Sequence, residues 1–192
     1  MMHPVPTKFT SIKVHHYVGW HNATNDLMKY RAISGISEEQ LRKVKLEDIN
    51  TCNELFEEAL KESVATFKPI VTLGGKDYGL IPNFKNISAA EFVDLVEFTK
   101  PAAIFDNLAK ALCILYRPIN AKLEDKYDIE VYDSTKHMDN EAVMLMMPMD
   151  IVQGALVFFS IVANDLQKSS LTFLEQKMEE LMMTVQELKN EQ

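Results

Sequence analysis

The chain has 192 residues, 47% of them hydrophobic and 25% charged, the balance of an ordinary globular domain. A chain of this length buries roughly 70% of its extended surface on folding, so its core needs neither a disulfide nor a metal. Twenty Lys and Arg stand against 28 Asp and Glu, and the net charge of −8 argues against a general grip on nucleic-acid phosphates.

Met1 to Phe9 contains Pro4 and Pro6 and no apolar h-region, which predicts a cytoplasmic product without a signal peptide. A helix is expected from about Thr10 to Trp20 and a second from Asn25 to Ile33, where Gly35 breaks the pattern. Ser37 and Gln40 form a capping box that starts a short helix through Val44. Leu46, Ile49, Leu55, Phe56, Ala59 and Leu60 then recur at roughly helical spacing, predicting a longer helix over about Glu47 to Ser63.

Thr66 to Pro82 differs in kind. Two apolar runs flank Gly74-Gly75, which predicts a β-hairpin closed by a glycine turn, the one clear β signal in the chain. Ser88 and Glu91 make a second capping box, and Pro101 suits the first turn of a further helix whose wide apolar stripe, Ile104 to Leu115, asks for a central position. Arg117-Pro118 ends that helix. Asn120 to Lys136 is polar and mixed, with at most a short extended piece, and is read as a long functional loop.

Ala142 to Ala163 is the most apolar window, but Pro148, Asp150, Gln153 and Ser160 interrupt it, so two helices meeting at Pro148 are expected rather than a membrane span. The last segment, Ser169 to about Lys189, places Leu171, Leu174, Met178, Leu181, Val185 and Leu188 at alternating gaps of three and four, a heptad seam beside Glu175, Glu179, Glu180 and Glu187. The expected class is therefore mainly α within α+β: a helical domain over 1–168 with one small hairpin at about 66–82, and a C-terminal amphipathic helix over 169–192 for docking or oligomerisation. Met178, Leu181, Met182, Val185 and Leu188 are the expected partner-binding residues, since thioethers make adaptable contacts and the seam is too short to stand alone.

Candidate chemistry is sparse. His15, His16 and His21 cluster near Trp20, but neighbours on a helix point about 100° apart and no acidic or cysteine ligand lies close, so no metal is expected. Cys52 and Cys113 sit in apolar helical patterns and read as reduced core thiols. Gly74-Gly75-Lys76 lacks the spacing of a phosphate loop. Glu54, Glu57, Glu58 and Glu62 read as a solvated helix face, not a di-metal site, for want of a Glu-x-x-His partner. Of the eleven methionines, five fall between Met138 and Met149; Met144 and Met147 are expected in the core, and Met182 and Met183 flank the seam. Charge is polarised along the chain. Residues 1–35 carry Lys8, Lys13, Lys29 and Arg31 against Asp26, and residues 127–163 carry Lys136 against six carboxylates, a pattern of solvated faces that also suits head-to-tail stacking of copies. A helix-turn-helix reading of Ser37 to Ile49 is weakened by the acidic run that follows.

Four stretches occur in the order AISGISEEQLRKVKLEDI, GKDYGLIPNFKNISAAEFVDLVEF, NLAKALCILYRPI and MPMDIVQGALVFFSIVANDL. Their succession resembles small helical structural and assembly proteins of tailed bacteriophages, especially crAss-like and other Bacteroidetes phages, and is similar to the pattern of tail assembly chaperones. The resemblance implies a non-enzymatic structural or cargo protein of the portal and tail region of the virion, in the host cytoplasm during assembly. Its implied partners are other phage structural proteins or further copies of itself, with no cofactor, small-molecule substrate, nucleic acid or membrane. A transient assembly chaperone is the alternative, and a small enzyme with an unrecognised site is the alternative of another class.

Overall fold

The structure, a computed structural model, describes residues 3–84, 87–100, 104–124, 126–135 and 140–164. Residues 1–155 form one unit and 156–192 a second. The expected helix over 169–192, the boundary after 168 and Pro101 lie outside the described residues.

The fold is α+β. Its helices are α1 (Val14–Asn22), α2 (Asp26–Ser34), α3 (Glu38–Leu41), α4 (Leu46–Lys61), α5 (Ala89–Phe98), α6 (Ile104–Leu115), α7 (Glu141–Met144) and α8 (149–164). The strands β1 (Ile70–Leu73), β2 (Lys76–Leu80), β3 (Tyr116–Leu123) and β4 (Lys126–Ile129) make an antiparallel sheet in the order β1-β2-β3-β4. None of the described helices is long and apolar enough to cross a membrane.

Local chemistry sets the helix starts. Asn25 Oδ1 accepts from the Met28 N–H at 3.0 Å and opens α2. Both expected capping boxes form: Ser37 with Gln40 at α3, and Ser88 with Glu91 at α5. In α4 the buried residues Ile49, Cys52, Phe56 and Ala59 follow helical spacing, while Glu54, Glu57, Glu58 and Glu62 face solvent. α6 is buried at Leu108, Ala109 and every position from Ala111 to Leu115, which makes it the centre of the domain. Trp20 packs on Phe56 with ring centroids 4.8 Å apart, and the Lys29 ammonium lies over the indole.

The N-terminal reading needs correction. A single turn of 3-10 helix, Phe9–Ser11, is followed by an extended link before α1, because Ile12 to His15 pair with the chain around Pro148. Val14 N–H donates to the Met147 carbonyl, His15 N–H to that of Leu145, and Met149 N–H to that of Ile12. Those bonds also hold α7 to four residues, so the first of the two helices expected to meet at Pro148 stops short of it, since residues 145–147 turn to present their carbonyls.

The expectation of one small hairpin and a long loop is overturned in the sheet. The first hairpin is present, with Leu73 paired to Lys76 across Gly74 (φ +57°) and Gly75 (φ +79°). The second, β3 with β4, lies where a loop was expected over Asn120 to Lys136. β3 pairs with β2 through Tyr116, Arg117 and Pro118, shifts register between Ile119 and Ala121, and continues paired to β4 alone. Its outer half is exposed, so no inward apolar alternation marks it in the sequence. Past the register shift β4 folds across β2. Tyr127 crosses Gly79, and its hydroxyl sits between the Leu80 carbonyl at 2.8 Å and that of Pro69 at 3.1 Å. A methyl at position 79 would meet the Tyr127 ring and Ile129 closer than 3.0 Å, so this glycine is required by close approach.

The glycine turn gives the first expected result. Gly74→Ala with Gly75→Ala puts a Cβ at two left-handed positions, each costing about 1–2 kcal/mol. Thermal unfolding of the double variant should move down accordingly, and an unchanged melting temperature would count against the strain.

In the second unit, residues 156–164 are helical. Ser160 Oγ donates to the Leu156 carbonyl at 2.8 Å, and Val157 and Ile161, one turn apart, are exposed.

Candidate functional site

The most site-like feature is a cleft of about 640 Å³ on the sheet side of α5. Its walls come from the start of α5 (Ser88, Ala90), the first half of β3 (Arg117, Asn120), the chain after β4 (Glu130, Val131) and Asn140 ahead of α7, with Cys113 of α6 also lining it. The walls part because pairing between the strands ends at one bond, from the Glu130 N–H to the Pro118 carbonyl at 2.9 Å. Beyond it the chain leaves β3 and runs toward α5, where the Tyr132 hydroxyl donates to Asp94.

Arg117 is the fixed point of this cleft. Its Nη2 lies 2.7 Å from Glu91 Oε1, and the two side chains are only 12% and 8% exposed. Glu91 uses its other oxygen, Oε2, to accept the Ser88 N–H at 2.7 Å, so one carboxylate caps α5 and anchors β3 to it. Burial pulls the guanidinium below its usual range while Glu91 opposes that shift, and Arg117 Nε is buried with no hydrogen-bond partner. The Tyr78 hydroxyl donates to Asn140 Oδ1 at 3.3 Å, and Lys76 lies 3.7 Å from Glu130 at the rim. Burial pushes the Tyr132 phenol up, and its bond to Asp94 adds to the shift.

Burial also pushes the Cys113 thiol up to about 12, which leaves it un-ionised and un-nucleophilic at neutral pH. Cys52 is buried in a separate cluster with Tyr30, Ile36 and Ile49. The arrangement is therefore suited to holding a polar ligand by hydrogen bonds from a positioned arginine.

Most residues singled out in the sequence lie elsewhere. Met178, Leu181, Met182, Val185 and Leu188 fall outside the described residues. Met144 and Met147 are fully buried, as expected. Among the described residues no group of three His, Cys, Asp or Glu side chains is placed to hold a metal. The histidines have structural neighbours instead: His15 Nδ1 lies 2.9 Å from the Leu145 carbonyl, and the His21 ring stacks on Phe105 at 4.3 Å. His16 Nδ1 accepts the Lys13 N–H at 3.1 Å at the head of α1.

That last bond makes acid stability a test. Burial, followed by the charges of His15 and Lys13, lowers the His16 pKa to about 4, so between about 4 and 6.5 the unfolded chain binds a proton that the folded chain refuses. Stability contributed by neutral His16 is present above 6.5 and lost as the pH falls through 4. Discounted for solvent screening, the loss is of order 1–2 kcal/mol. His16→Asn should flatten the urea midpoint over that range; an identical slope in both proteins would remove His16 from the acid response.

Arg117 and Glu91 were missed as a pair because they lie on a helix and a strand far apart in the chain. The alternation of Tyr127, Ile129 and Val131 with Asp128 and Glu130 is the signal that marks the strand leading to the cleft. A second, shallower hollow of about 530 Å³ lies between α1 and α2, with Met28 and Arg31 on its rim. No protein-family model, curated protein or solved structure matches the chain.

Proposed function

We propose that the protein is a non-enzymatic interaction component of a tailed bacteriophage, built into or carried with the portal and tail region of the virion. The seam Leu171, Leu174, Met178, Leu181, Val185 and Leu188 carries this reading, since one apolar stripe beside a face of glutamates seeks an apolar partner surface. The ordered succession of four phage-like stretches supplies the phage setting. Apolar groups left open on the domain, with Val131 90% and Leu123 77% exposed, accord with a protein that meets others.

Met178, Leu181, Met182, Val185 and Leu188 are assigned to the partner, which is another phage structural protein or a second copy of the chain. Leu171 and Leu174 are assigned on this reading to the chain itself rather than to the partner. Leu181→Lys with Leu188→Lys should leave a folded, monomeric chain that fails to enter particles. Two leucines buried at a contact contribute roughly 1.5–3 kcal/mol each, so affinity should fall roughly a hundredfold or more. Circular dichroism and particle incorporation are read together: outright unfolding would make the seam internal core, and normal incorporation would remove it from the interface. Mass spectrometry of purified particles separates a resident component from a transient tail assembly chaperone.

A further inference from the structure

The cleft at Arg117 has more hydrogen-bond donors than its own side chains answer. The described contacts give the guanidinium one partner, Glu91, and leave Nε with none. Asn140 receives the Tyr78 hydroxyl on Oδ1, which turns its amide N–H groups away from that bond. Asn120 stands on the same wall. Oxygen acceptors on a ligand would satisfy such a set.

Charge decides what kind of acceptor fits. Glu91 already neutralises Arg117, and Glu130 and Asp133 stand in the walls, so a carboxylate or phosphate would enter against carboxylates. Neutral carbonyl oxygens meet the donors without that repulsion. The remaining lining is mixed: Ala90, Pro118 and Val131, the last 90% exposed at the rim, are aliphatic and stand beside Ser88, Cys113, Tyr132 and Ser134. The aliphatic part of that rim can cover an apolar side chain. The cleft also opens where β3 and the chain after β4 separate, a setting that runs alongside strand backbone.

We infer that this cleft binds an extended, uncharged peptide segment of a partner protein, its backbone carbonyls taken by Arg117, Asn120 and Asn140 and its aliphatic side chains covering Val131. The inference rests on the interaction reading for the source of the peptide, but the chemistry is tested on the isolated full chain. N-acetyl-valine N-methylamide is titrated into labelled protein and followed by amide NMR, with acetate, inorganic phosphate and methyl glucoside as separate arms. Saturable shifts should gather at Ser88, Arg117, Asn120, Val131 and Asn140 with the valine amide alone. Asn120→Leu, which fills the cleft without touching the Arg117–Glu91 pair, and Arg117→Lys, which keeps a cation beside Glu91, should each weaken binding about tenfold. No shifts up to the solubility limit, unaltered binding in a folded Asn120→Leu variant, or a stronger response to an anion or the glucoside would overturn the assignment. Particle incorporation remains the separate gauge of the phage reading, so the two can fail independently.

Discussion

Gly79→Ala is expected to destabilise the protein by about 3 kcal/mol, because an overpacked methyl must displace a side chain that is tied at its far end. The ring it strikes belongs to Tyr127, whose hydroxyl is held by the carbonyls of Leu80 and Pro69, and Ile129 Cγ2 closes the other side at 2.8 Å. The ring cannot swing clear without giving up those bonds, worth about 1 kcal/mol in total. For a chain of this size the melting temperature should fall by roughly 6–12 °C. The pair is also non-additive: adding Tyr127→Ala to Gly79→Ala removes the obstacle, so the double variant should be less unstable than the sum of the singles by about 1–2 kcal/mol. Simple additivity, or a Gly79→Ala protein that melts with the wild type, would show that β4 does not press on β2 as described.

Arg117→Ala should be costlier still. It leaves Glu91 buried without its cation, a loss of about 3–5 kcal/mol for a desolvated pair broken from one side. The same carboxylate accepts the Ser88 N–H, so the disturbance reaches the first turn of α5. Arg117→Met combined with Glu91→Gln removes both charges and keeps an acceptor for Ser88, and should recover more than half of the loss. Urea midpoints of the wild type, the single and the double variant decide the matter. Equal midpoints for single and double would show that the stranded Glu91 charge is not what the single variant suffers from.

What the sequence reveals follows the reach of the interactions concerned. Caps at Ser37 and Ser88 and the turn at Gly74-Gly75 act over three or four residues, and they could be placed from the chain alone. The faces of α4 and α6 were legible because burial repeats at helical spacing. β3 was concealed for two reasons. Pro118 suits a helix end, yet it occupies a strand beside Tyr78, and the outer half of β3 is exposed and therefore polar. The residues after Glu130, read within a functional loop, do line the cleft, but as the continuation of a strand. The cleft itself depends on Glu91 reaching Arg117 from another element, and no short window of sequence contains that bond. The heptad seam is the opposite case, complete in its sequence pattern and lying beyond the described residues.

The pairing of Ile12 to His15 with residues 145–149 bears on how the protein is made. His15 and Leu145 are separated by 130 positions, so residues 12–15 leave the ribosome on the order of ten seconds or more before their binding partner exists. Through that interval Ile12 and Val14, both fully buried in the finished fold, have nothing from 145–149 to cover them. Pairing of residues 12–15 must therefore wait for 145–149, and the nascent segment around Ile12 and Val14 is a natural substrate for chaperones that hold apolar segments as they emerge.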